Sequence, residues 1–156
     1  MKFSLDSKPV KAALFVICLV LLFVMYLQTR TRRQIQEAKQ LPFYNTNLEQ
    51  VEDGTYTAET ITSFCRVKLQ ITVENHIMTD IQVLENIGFK GHHAEPITKT
   101  MLEQNKTIVP AIKGEELASL VFISCADKAI RLGTPEGKAE AEKQAQAAAG
   151  AFPDEN

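Results

Sequence analysis

Residues 63–73 read SFCRVKLQITV, and their alternation decides the fold class. Cys65, Val67, Leu69, Ile71 and Val73 fall on one side of an extended chain, and Arg66, Lys68, Gln70 and Thr72 on the other. A period of two with one apolar and one polar side marks a strand whose sheet has one buried and one wet face. Downstream, Glu74-Asn75-His76 makes a short turn, because asparagine tolerates a left-handed backbone, and residues 77–84 return as another strand. Upstream, Asp53-Gly54 opens a strand over residues 55–60, with Tyr56 and Ala58 on one face and Thr55, Thr57 and Glu59 on the other. The three make an antiparallel meander.

A sheet with one apolar face needs a cover, and the following sequence supplies helices. Gly88 and Gly91 mark a loop, and Pro96 fits the first turn of a helix with Ile97, Thr100, Met101 and Gln104 on one stripe. Residues 108–112 (IVPAI) read as a short extended piece that Pro110 confines to an edge or a non-ladder position, and Gly114 breaks it. Residues 115–132 read as a second helix, acidic in its first turn, with Lys128 and Arg131 in its last and Gly133 and Pro135 as stop signals. Apolar residues from Leu117 to Ile130 wrap most of its circumference, so burial is expected. After Pro135 the composition turns to Ala, Glu, Lys and Gln without a bulky apolar stripe, which reads as a frayed helix or flexible tail.

Near the N-terminus, residues 12–27 (AALFVICLVLLFVMYL) carry no charged side chain. As a helix this run is about 24 Å long against a hydrocarbon core of roughly 30 Å. It spans if Lys11 snorkels and Tyr26 and Gln28 reach the far interface, which gives a transmembrane helix over residues 10–29. A cleaved signal peptide would place small residues next, whereas Tyr26-Leu27-Gln28-Thr29-Arg30 follows. The reading is an uncleaved single-pass anchor with the lipid bilayer as its partner. Lys2, Lys8 and Lys11 on one side and Arg30, Arg32, Arg33 and Lys39 on the other leave the orientation open. The expected organisation is an N-terminal flank (1–9), the span, a stalk (30–50), a folded domain (51–134) and a tail (135–156). The expected fold class is α+β, a transmembrane helix plus a small antiparallel sheet packed with two helices.

Composition narrows the chemistry. The 156 residues carry a formal charge of -2, with no overall basic balance to draw nucleic acid. Cys18 lies in the apolar run, and Cys65 and Cys125 lack zinc-site spacing, leaving buried free thiols or one disulfide. His92-His93 beside Glu95 has no third ligand near in sequence, so no metal site is expected. Asn105-Lys106-Thr107 matches the N-glycosylation sequon, and Ser63, Ser119 and Ser124 form no nucleophile motif.

The Asp-Gly-x-Tyr strand at 53–56, the segment VKLQITVENHIMTDIQVLE, a glycine loop, a helix, an apolar stretch and a helix begun after Gly114 follow one another in a specific order. That order resembles the FMN-binding domain family of the NqrC and RnfG type, found in ion-translocating redox complexes and in small membrane-anchored proteins. The resemblance covers about residues 51–133. It implies a site where the loop from Gly88 to His93 approaches Gly114, with Gly88, Gly91, Lys113, Gly114 and Ser119 as FMN-binding candidates. It further implies electron transfer, a membrane redox complex or flavoprotein as partner, and a domain outside the cytoplasm at the cell membrane. In that family the last hydroxyl of Asp-x-x-Ser/Thr-Gly-Ala-Thr/Ser carries FMN through a phosphoester. The matching stretch is Pro110-Ala111-Ile112-Lys113-Gly114-Glu115-Glu116, which keeps only the glycine and sets the Glu116 carboxylate where the hydroxyl would be. Glu115 and Glu116 also place two negative charges on a helix start that would otherwise attract phosphate. The expectation is a fold with non-covalent FMN, or a cofactor-free scaffold module, in neither case with independent catalytic activity.

Overall fold

The computed structural model describes residues 8–88 and 91–149. Lys2 with the rest of the N-terminal flank, Phe89, Lys90 and the tail beyond 149 lie outside the described residues, as do the side chains of Lys8, Arg30 and His92. The chain divides into two compact units, one ending at Gln36 and one beginning at Glu37.

The first unit holds helix α1 (Lys8–Lys39) as far as Gln36, and the last three residues of the helix belong to the second unit. No glycine or proline interrupts residues 10–41, and Pro42 bars continuation, since it restricts the residue before it. Within Lys11–Lys39 an 18-residue window has a mean hydropathy of 2.5, and its apolar side chains, such as Phe15, Leu21 and Phe23, are exposed. Among the described residues this is the one helix long and apolar enough to cross a membrane.

The second unit holds the expected meander. Strands β1 (Gly54–Ile61), β2 (Arg66–Glu74) and β3 (Ile77–Ile87) form a sheet of order β1-β2-β3, both pairs antiparallel. Val67, Leu69, Ile71 and Val73 are wholly buried, as the alternation requires. On the opposite face Arg66 pairs with Glu59, with Glu85 at 3.7 Å. β3 runs three residues past its expected end. Register shifts between Lys68 and Leu69 and between Thr72 and Val73 leave Leu84 and Thr79 without partners, and such bulges break the period of two.

Four helices follow: α2 (Gly91–Ala94), α3 (Ile97–Gln104), α4 (Glu116–Arg131) and α5 (Pro135–Ala149). α4 covers β1 and β2 with buried Val121, Phe122, Cys125, Ala126, Ala129 and Ile130, while α3 lies beside β3 with Ile97 and Met101 inside. Each large apolar side chain so buried contributes about 1.5–3 kcal/mol. The fold is thus α+β with an antiparallel sheet packed by helices, preceded by an apolar helix.

Two segments differ from expectation, α2 and residues 37–50, and two others settle between alternatives, residues 108–112 outside the ladder and the Ala-rich segment as a helix. α2 lies within the stretch read as a loop. Residues 108–112 join no strand, because the Ile112 N–H donates to Ser119 Oγ at 3.0 Å instead of to a ladder. The Ala-rich segment is helical as α5, begun by Thr134, whose Oγ1 accepts the Gly137 N–H at 3.1 Å, and by Pro135 in the first helical position. Residues 37–50, read as part of a stalk, belong to the folded unit, with Ala38 and Leu48 buried. They are held as a strap by two buried residues of α4. Ser124 Oγ donates to the Pro42 carbonyl at 2.9 Å, and Asp127 accepts the backbone N–H groups of Tyr44, Asn45 and Thr46. Arg131 adds a stacked contact, its guanidinium 4.2 Å from the centre of the Tyr44 ring.

Candidate functional site

The resemblance directs attention first to the start of α4. Gly114 has φ +88°, a left-handed backbone that favours glycine, and a Cβ there would meet nothing within 4 Å. The turn closes through the Glu115 N–H to the Ile112 carbonyl at 3.0 Å. Glu116 then folds back, its Oε1 accepting the Gly114 N–H at 2.9 Å. One of the donors a phosphate would use is therefore already taken by a carboxylate of the same turn. Lys113 is exposed. Ser119 is wholly buried and its hydroxyl is engaged by Ile112. The Oε2 atom of Glu115 is buried without a hydrogen-bond partner, which adds a second acid to the same turn.

Gly88 serves packing. Gly88 has φ +143°, and a Cβ on it would lie 2.5 Å from the Phe64 carbonyl oxygen, so β3 can end beside residues 64–65 only because the side chain is absent. Gly91 opens α2, which lies against α4 and β3. These residues do not fit an FMN phosphate: an N–H is occupied, the neighbouring hydroxyl is buried and bonded, and two carboxylates share the turn.

A second locality was not evident from the sequence. The strap, the β2–β3 turn and the end of α3 enclose an open cavity of about 780 Å³, lined among others by Asn45, Thr46, Asn75, His76, Asn105 and Lys106. All four non-glycine residues with positive φ among the described residues line it: Asn45 (49°), Asn75 (53°), His76 (62°) and Asn105 (49°). Side chains tie the three segments together. His76 Nδ1 lies 3.2 Å from the carbonyl oxygens of both Leu48 and Val51, so it carries the proton and donates. Asn105 Oδ1 accepts the Met78 N–H at 2.9 Å while its Nδ2 donates to the His76 carbonyl at 3.3 Å.

The chain matches no family model, no curated protein and no solved structure.

The remaining sequence candidates have structural placements. Cys65 and Cys125 are free and buried. Burial pushes the Cys125 thiol up to about 11, and its sulfur donates to the carbonyls of Ala58 at 3.3 Å and Val67 at 3.4 Å. Such a thiol is a poor nucleophile. The sequon is locked into the fold, with the Asn105 amide bonded as above and Thr107 buried. Among the described residues no group of three His, Cys, Asp or Glu side chains is placed to hold a metal ion. The cavity had two sequence signals: asparagines at 45, 47, 75 and 105, and a histidine where a tight turn usually has glycine.

Proposed function

We propose that this chain is a single-pass membrane protein whose α+β domain, outside the cytoplasm, is a cofactor-free interaction or scaffold module. The anchor rests on α1 and its exposed apolar window. The placement of the domain rests on the order of elements that resembles the FMN-binding domain family. The observation that carries the cofactor-free reading is the bond from the Gly114 N–H to Glu116, which fills with acid the position where that family holds a phosphate.

A second reading keeps non-covalent FMN and a role in electron transfer beside a membrane redox complex. It is favoured by the open space beside Gly114, where an isoalloxazine or ribityl chain could approach the backbone.

Two measurements decide between them. The full chain, produced with a flavin transferase, is weighed intact and its flavin absorbance recorded, and it is then titrated with FMN. A colourless protein of unmodified mass that does not respond to FMN supports the module. Micromolar FMN binding supports the second reading, and a mass gain of one FMN overturns the absence of a phosphoester. A topology reporter fused after Asn156 tests the anchor and the side the domain occupies, and a signal confined to the cytoplasmic side overturns that placement.

A further inference from the structure

We infer that the cavity between the strap, the β2–β3 turn and the end of α3 is a binding site for an uncharged saccharide. Its rim is preorganised: His76 fixes residues 48–51, Asn105 fixes the hairpin tip, and Asp127 fixes residues 44–46. Four side-chain-bearing residues hold left-handed backbones around one opening, and such conformations persist where the surroundings over-determine them.

What these bonds leave over identifies the ligand class. The Asn45 and Asn75 amides, the Lys106 ammonium and His76 Nε2 have no partner among the described residues, and Thr46 Oγ1 is buried without one. Amides, hydroxyl and imidazole both donate and accept, which suits hydroxyl groups that do the same. A phosphate would use only donors and a cation only acceptors. Lys106 and Glu49 line the cavity with opposite charges, so it has no net charge to select an ion. Ile77 and Ile108, 53% and 39% exposed, offer apolar patches for the C–H faces of a sugar ring. The volume lies within the roughly 300–1,000 Å³ of small-molecule sites.

The test uses the full chain in a sugar-free detergent, with maltotriose, cellotriose and chitotriose as probes at millimolar concentration and saturation-transfer NMR as readout. At least one probe is expected to show transfer. Asn75→Gly keeps the left-handed backbone while removing the amide, Lys106→Gln removes the charge, and Thr46→Val keeps the shape while removing the hydroxyl. Each is expected to weaken binding about tenfold, the equivalent of one lost hydrogen bond. Thr46→Val is also expected to hold or raise the thermal midpoint, so its loss of binding cannot come from misfolding. No transfer from any of the three probes, or transfer unchanged in all three variants, overturns the assignment. So does titration with inorganic phosphate that perturbs the site where the sugars do not, which would make it an anion site.

Discussion

The Thr107 hydroxyl donates to the Asp127 carboxylate at 3.1 Å, and both side chains are buried, Asp127 completely. A carboxylate removed from water is tolerated when donors replace its hydration. Here three consecutive backbone N–H groups of the strap and one hydroxyl do so. The arrangement ties α4 to the strap and to the segment after α3, two of the segments that line the cavity.

Asp127→Asn tests this coupling with little change of shape. Oδ2 serves Tyr44 and Asn45, and Oδ1 serves Thr46 and Thr107, so an amide in either orientation opposes an NH2 to at least one backbone N–H. A buried unmatched donor costs about 1–3 kcal/mol, a fall of about 10 °C in the midpoint for a domain near this size. Thr107→Val removes a single bond and should cost about 1 kcal/mol. Differential scanning calorimetry of the full chain measures both, and equal midpoints for wild type and Asp127→Asn would show that the strap is not held this way.

Why the sequence disclosed the sheet but not this knot follows from what each leaves in the residue pattern. β2 has all four of its inward positions apolar with polar residues between, because one face is packed along its whole length. Residues 42–46 bond backbone polar groups to Ser124 and Asp127 and leave no periodic trace. Asp127 itself, with Ser119 and Ser124, looks like polar punctuation on an apolar helix until its distant partners are known. Pro135 was legible in two ways, as the stop after α4 and as the first residue of α5, and the Thr134 cap makes it the second. At the candidate site the sequence located the acidic turn after Gly114, whereas the cavity is assembled from segments about 30 residues apart in the chain, and its asparagines and turn histidine do not by themselves say that they meet.

Stability should fall in alkali through Cys125. Its thiol ionises near 9 when ordinary and is pushed up to about 11 by burial. A raised folded-state value means that the contribution is complete below about pH 9 and is lost as pH climbs towards 11, since the unfolded chain ionises first. Two units correspond to roughly 2–3 kcal/mol. Cys125→Ser cannot titrate there and can still donate to the Ala58 and Val67 carbonyls, so its denaturation midpoint should be flatter over that range than that of wild type. Parallel curves for the two proteins would contradict the assignment.

Two glycines separate conformational cost from steric cost. Gly114→Ala meets open space, so only its left-handed backbone is penalised, about 1–2 kcal/mol. Gly88→Ala incurs the same kind of penalty and also sets a methyl 2.5 Å from the Phe64 carbonyl, so β3 or residues 64–65 must move. Urea denaturation should rank Gly88→Ala clearly below Gly114→Ala, and the reverse order would place the tight approach elsewhere.

Ser119 provides the last test, because its hydroxyl is the one nearest the acidic turn and is used for structure. Ser119→Ala removes the acceptor of the Ile112 N–H in a wholly buried position, at a cost of about 1–2 kcal/mol. Glu116→Gln keeps an oxygen for the Gly114 N–H and removes only the charge at the helix start, a change of about 0.5 kcal/mol. Thermal unfolding should therefore register Ser119→Ala strongly and Glu116→Gln weakly. If Ser119→Ala were silent, the Ile112 N–H would not depend on that hydroxyl, and its structural role would fall.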